Sequence, residues 1–390
     1  MRANRRWIAI GAVTAILLGV AGALGPGWWG GHTSALSPGP VAVFQIRDAS
    51  PSLGAVFHPG VILVAGANAS TVFLGGIGVY VRSPEFTLPV VATLTRGPSG
   101  PAAQNVTPLL NDYFWEGGIY GETWNGTSWL IAGQAGWGGG NTGAMVSIEG
   151  GRVINRTALL GPTFAGGGIF AIAWNGSAWM LGGNSSGGLA LATLEGSRLT
   201  DLSSEIHGTV RDGWIQALQW NGAEWLIGGQ GILETWRGGN WTDLLADSPF
   251  TESGVYAASW NGSAWLVGGG AGQAITIADD TVGHGPKLPA AFDQAVLFLA
   301  PVLSGWLVGG KGTTSTGGIA PELAYWASAG PRPSVTDLSA DIPNSFAGGE
   351  VQSGSPAPML GPSSYLLVGD GSYDVHSGYG VGSVAWLTFS

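Results

Sequence analysis

The sequence predicts an all-β fold: seven similar four-stranded antiparallel sheets closed into a ring, a seven-bladed β-propeller. Three observations carry this. First, the segment Phe170–Asn184, FAIAWNGSAWMLGGN, is rewritten as ETWNGTSWLIAGQ ending at Gln134, ALQWNGAEWLIGGQ ending at Gln230 and AASWNGSAWLVGGG ending at Gly270. Asn-Gly between two apolar runs is a strong hairpin signal. Second, degenerate copies (Val64–Gly76, Leu303–Lys311, Leu360–Asp370) extend the series, placing Val72, Trp129, Trp179, Trp225, Trp265, Trp306 and Tyr365 at one repeat position. Their spacings of 57, 50, 46, 40, 41 and 59 residues suit propeller blades. Third, 70 glycines, 19 tryptophans and only 10% charged residues describe short buried strands joined by tight turns, with little helix.

Within each copy the reading is strand, two-residue type I′ turn, strand. With Asn175-Gly176 as the turn, Trp174 pairs with Ser177 and Trp179 faces Ile172. Phe170, Ile172 and Trp174 then share one face, and Ala171 and Ala173 the other. Neither face is polar, so each hairpin must be covered on both sides by its neighbours.

Taken in order, the chain opens with Arg2, Arg5 and Arg6 before an apolar run, Trp7–Leu24. That pattern directs export, with residues 1–24 as a signal peptide or a signal anchor; Ala21-Gly22-Ala23 suits cleavage, and Arg5-Arg6 permits a twin-arginine reading. Residues 25–40 read as a Gly/Pro/Ser linker in which Trp28-Trp29 favours a retained anchor. The propeller domain spans residues 41–390. Val41–Ser50 is a strand without a hairpin of its own, whereas the last unit ends on its third strand, Val381–Ser390. The first should therefore close the ring against the second, removing the open sheet edges. The first unit carries an insert, Ile77–Pro89.

Charge and composition exclude several classes. The formal charge is −10, and lysine is supplied only by Lys287 and Lys311, so nucleic acid is not an expected partner. Absence of cysteine removes disulfides and thiolate metal sites. His58, His207, His284 and His376 lack paired ligand spacing, which disfavours zinc.

Candidate sites follow from the repeats. The residue after the double glycine is Ile77, Gln134, Asn184, Gln230, Gly270, Lys311 and Asp370 in turn. Mostly polar residues at one repeat position should ring one face, so Gln134, Asn184, Gln230, Lys311 and Asp370 are the ligand-binding candidates. Asp370 and Asp374, in a Gly-containing loop, are candidate Ca2+ ligands; no other cofactor is expected. Trp124, Trp174, Trp220 and Trp260 should fill space between blades. Trp115, Trp137, Trp214 and Trp236, outside the register, are the candidates for exposed contacts. Glu116, Glu122 and Glu224 are isolated carboxylates with no sequence partner. Of eight Asn-x-Ser/Thr sequons, Asn105, Asn155 and Asn240 are the expected glycosylation sites, because Asn125, Asn175 and Asn261 are already explained by the turn.

The apolar runs ending in Gly182-Gly183, Gly228-Gly229, Gly268-Gly269 and Gly309-Gly310, with Trp241 in GNWTDL, resemble kelch-like repeats of the galactose-oxidase/kelch type over about residues 41–390. The regular tyrosine between those marks is missing. The resemblance implies architecture rather than activity. Together these readings lead to an expected extracytoplasmic, non-enzymatic binding module, membrane-anchored or secreted, with a cell-surface protein or glycan as partner. The alternative is a secreted carbohydrate-active enzyme, a hydrolase or lyase, with carboxylates in the propeller centre.

Overall fold

Alternating apolar residues around Asn-Gly form hairpins, and hairpins that are apolar on both faces stack. In the computed structural model, which describes residues 43–80, 86–98, 100–136, 140–208, 213–328, 333–374 and 379–390, seven four-stranded antiparallel sheets result. Blades 1 to 6 are meanders over Gly60–Asn105, Gly118–Asn155, Gly168–Asp201, Ile215–Asp243, Val255–His284 and Ala295–Asp337. Blade 7 takes three strands from Glu350–Phe389 and its outer one from Phe44–Asp48. Phe44 pairs with Phe389 and Asp48 with Ala385, so the ring closes as expected. Seven apolar clusters each join two neighbouring blades, one per interface, including blade 7 with blade 1. The insert of blade 1 lengthens a hairpin, pairing Ile77 with Pro89 and Gly78 with Leu88. Among the described residues no helix is long and apolar enough to cross a membrane. The readings of residues 1–24 and 25–40 lie outside the described residues.

The hairpin register differs from the expected one. Trp174 faces Trp179 and Ile172 faces Leu181, leaving a four-residue loop, Asn175–Ala178. The reason is the asparagine side chain: Asn175 Oδ1 accepts from the backbone N–H of Ser177 (2.9 Å) and of Ala178 (2.8 Å), building an Asx-turn that a two-residue loop has no room for. Only Gly176 has positive φ, at 99°, so the turn is not type I′. Asn68, Asn125, Asn221 and Asn261 cap their loops the same way.

This register lays the tryptophans side by side. Blade 4 carries a row across all four strands, Trp220–Trp225–Trp236–Trp241. Blade 5 repeats it as Trp260–Trp265–Ile277–Val282. Trp265 and Trp306 are each 1% exposed. Filling between blades is thus the role of these rings. Trp236 belongs to this row and packs between blades 3 and 4, which corrects its reading as an exposed contact.

A second departure lies on each innermost strand. In every blade the pairing of first and second strands slips by one residue near its start, a β-bulge: between Ile119 and Gly121, Ile169 and Ala171, Ile215 and Ala217, and equivalently in the other four. Phe170 is therefore extruded from the face it was expected to share with Ile172. The double glycine explains how the strands stay in contact. A Cβ on its second residue would overlap a backbone oxygen of the facing chain, at Gly183 that of Gly168; this glycine recurs in all seven blades, preceded by Ala132 in blade 2 and Val368 in blade 7.

Outer strands end in a repeated latch, Asp/Asn-x-Ser/Thr. Asp337 Oδ1 accepts from Ser339 N–H at 2.9 Å, and Ser339 Oγ accepts from Leu323 N–H. Asn105/Thr107, Asn155/Thr157, Asp201/Ser203 and Asp48/Ser50 do the same. The Asn-x-Thr patterns at Asn105 and Asn155 thereby have a structural origin.

Candidate binding site at the channel mouth

The extruded bulge residues are Leu63, Tyr120, Phe170, Gln216, Tyr256, Leu297 and Gln352. Each is half-buried, sits next to a fully buried neighbour, and belongs to none of the inter-blade cores. Being on the innermost strands, they line the central channel. Three of the aromatics lie back over a glycine two residues earlier: Tyr120 over Gly118, Phe170 over Gly168 and Tyr256 over Gly254. The rings therefore lean toward the end of the channel where the innermost strands begin. Tyr120 and Phe170 meet edge to face, their centroids 5.2 Å apart. In blade 4 the glycine is replaced by Trp214, whose Nε1–H donates to Gln216 Oε1 at 2.9 Å.

The polar residues after the double glycine stand at the same mouth. Gln134 pairs with Gly118 and reaches toward Gly168 of the next blade. Asn184 Oδ1 accepts from Gly168 N–H at 3.0 Å. Gln230 bonds through its N–H to the Trp214 carbonyl and lies beside Gly254. Gly270 bridges to Ala295, and Ile77 packs on Gly118. Gln134, Asn184, Gln230, Lys311 and Asp370 are thus brought to one mouth, with Ile77 and Gly270 completing the ring.

Blades 6 and 7 give the mouth a charged arc. Lys311 Nζ lies 2.7 Å from Glu350 Oε2, and Glu350 N–H donates to Asp370 Oδ1 at 3.2 Å. Burial, reinforced by the Glu350 charge, pushes the Asp370 carboxyl up to about 6 despite the nearby Lys311. Glu350 was not singled out from sequence, nor were Tyr120, Phe170, Gln216 and Tyr256 as channel residues. A signal existed: a β-branched residue, the bulge residue and usually a small one recur opposite each double glycine, as in Ile119-Tyr120-Gly121 and Val255-Tyr256-Ala257.

The remaining candidates are dispersed. Trp115 is 52% exposed, and Trp137 lies outside the described residues. Glu224 is held by Arg237 at 2.7 Å on blade 4. Glu122 points between blades 1 and 2, against Gly66 and Trp129 rather than into the channel. Both its carboxyl oxygens are sealed from solvent without a hydrogen bond of normal geometry. Burial raises it well above its ordinary value, with the Gly66 backbone opposing weakly. Among the described residues no group of three or more His, Asp or Glu is placed to hold a metal ion, and the Asp374 side chain lies outside them. The Asn240 side chain is exposed and makes no hydrogen bond among the described residues.

Fold and mouth together define a seven-bladed propeller with a polar and aromatic channel entrance. Among solved structures the chain is similar to the WD40 β-propeller domain of Doa1 (9% identity, TM-score 0.52, 85% of this chain and 93% of that one). It is similar to a chain of the mitotic checkpoint complex (14%, 0.51, 88% and 92%). An extracellular domain from B. thetaiotaomicron also matches (11%, 0.53), over 87% of this chain and 39% of that one. At these identities the likeness is one of fold. No family model matches the chain, and no curated relative does.

Proposed function

We propose that the protein is an extracytoplasmic, non-enzymatic binding module that takes a protein or glycan ligand at the channel mouth, at the cell surface. One observation carries this: seven bulges present a ring of side chains that serve no inter-blade core. A ring of Tyr, Phe, Gln and Leu beside Gln134, Asn184 and Gln230 offers apolar contact with a few fixed polar groups, the usual composition of a ligand site. The three arginines followed by the apolar run Trp7–Leu24 support export. Kelch-like repeats are part of the same reading, their double glycine answering to the bulge. Similar folds include a chain of a multiprotein complex and an extracellular domain, which agrees with a binding role. Asn105, Asn155 and Asn240, all exposed, are the sequons proposed to carry glycans.

A second reading has one specific observation behind it. Glu350 and Asp370 adjoin at the mouth, and Asp370 is displaced toward neutrality, as a general acid would be. Asp370→Asn tests this reading: it abolishes turnover of a glycoside substrate if the carboxyl is a catalyst, and a wild-type protein that turns over no glycoside it binds removes the reading. The binding reading is tested by screening the full chain on glycan and peptide arrays and repeating the screen with Tyr256→Ala. It fails if every bound ligand is retained unchanged by that variant and by Phe170→Ala.

A further inference from the structure

We infer that the mouth recognises a neutral, hydroxyl-rich sugar ring, a pyranose residue of a glycan; this rests on the binding reading above. Hydrogen-bond polarity at the mouth carries the argument. Gly168 N–H donates to Asn184, and Trp214 Nε1–H donates to Gln216, so each amide oxygen is occupied by a group that can only donate. That fixes both amide orientations and turns both NH2 groups outward as donors. A ligand meeting them must present acceptor oxygens.

The aromatic residues add a second requirement. Tyr120, Phe170 and Tyr256 lean over glycines on blades 2, 3 and 5, flanking Gln216 and Trp214 of blade 4. A pyranose has an apolar C–H face for such rings and a rim of hydroxyls for the amides. Charge supplies the third. Among the described residues at the mouth the one cation is Lys311, and it is held by Glu350, with Asp370 adjoining. An anionic sugar would meet these carboxylates and a chain of net charge −10, so the neutral class is favoured.

The test is an array of neutral oligosaccharides, uronate- or sialate-bearing ones and basic or proline-rich peptides, followed by calorimetry on the best ligand. Two variants address the mechanism. Gln216→Glu keeps an acceptor for Trp214 but replaces the outward donor with an anion, and Phe170→Ala removes a stacking face outside the core. Thermal melts confirm that both fold. The expected result is binding of neutral glycans, little affected by added salt, and weakened at least about tenfold by each variant, roughly 1.4 kcal/mol. Binding confined to acidic glycans or to peptides, yet weakened by the same variants, overturns the sugar class and leaves the mouth as the site. Neutral-glycan binding indifferent to both variants overturns the mouth as its site. Absence of binding to any neutral glycan overturns the inference.

Discussion

Replacing Glu122 by isoleucine should stabilise the protein, an uncommon direction for a core substitution. At the position of Glu122 the other blades carry Ala65, Ile172, Leu218, Ala258, Leu299 and Gly354, all opposite an aliphatic residue. Glu122 likewise faces Ile131, with both carboxyl oxygens shut away from water and only the Gly66 backbone to offset their burial. Burying an uncompensated polar group costs about 1–3 kcal/mol in proteins, and removing it should return that amount. The gain should depend on pH. Because burial holds the carboxyl above 4.5 in the folded chain, the folded state keeps a proton that the unfolded chain releases. The wild type is thus most stable below that value and loses stability as pH rises toward the folded-state pKa. Glu122→Ile removes this slope, so its advantage should be smallest near pH 4 and grow toward pH 7. Denaturant unfolding of both proteins across that range measures it. A variant less stable than wild type at pH 7, or an advantage that does not grow with pH, would refute the reasoning.

Other expectations follow from the same structure. Gly183→Ala drives a Cβ into the Gly168 oxygen, so it should cost roughly 1–3 kcal/mol by thermal or denaturant melt and disturb ligand binding through Phe170. Ser339→Ala breaks the blade 6 latch and takes the hydroxyl from Glu322, which is 4% exposed; a loss of about 1–3 kcal/mol is expected, recovered in part by threonine. Deleting residues through Asp48 strips the outer strand from blade 7 and bares the edge of Tyr379–Phe389, which should appear as self-association in size-exclusion chromatography. Lys311→Met removes the cation beside Glu350 and Asp370, and the Asp370 titration followed by NMR should move upward from about 6.

Repetition made the architecture legible. Seven hairpins, five of them with tryptophan at the repeat position, and an orphan strand at Val41–Ser50 sufficed for blade count and ring closure, because closure is set by which strand lacks a partner. The hairpin register was not legible, since Asn-Gly signals a two-residue turn while Asn175 uses its side chain to support a longer loop. Periodicity also misplaced Phe170, because one bulged residue reverses which face the preceding side chains occupy. The polar ring after the double glycine was visible as a repeat position, but its partners were not. Glu350 comes from the innermost strand of the next blade, and only folding sets it beside Lys311. At Asn105 and Asn155 the Asn-x-Thr pattern also spells the latch, a use of these residues that the sequence reading did not foresee.

The most direct test of the central claim, that the bulges present the ligand-binding surface, is hydrogen exchange of the protein with and without a saturating array-selected ligand. Protection should concentrate at the starts of the innermost strands, around residues 118–120, 168–170, 214–216 and 254–256. Protection confined to the outer strands, with these segments unchanged, would contradict it.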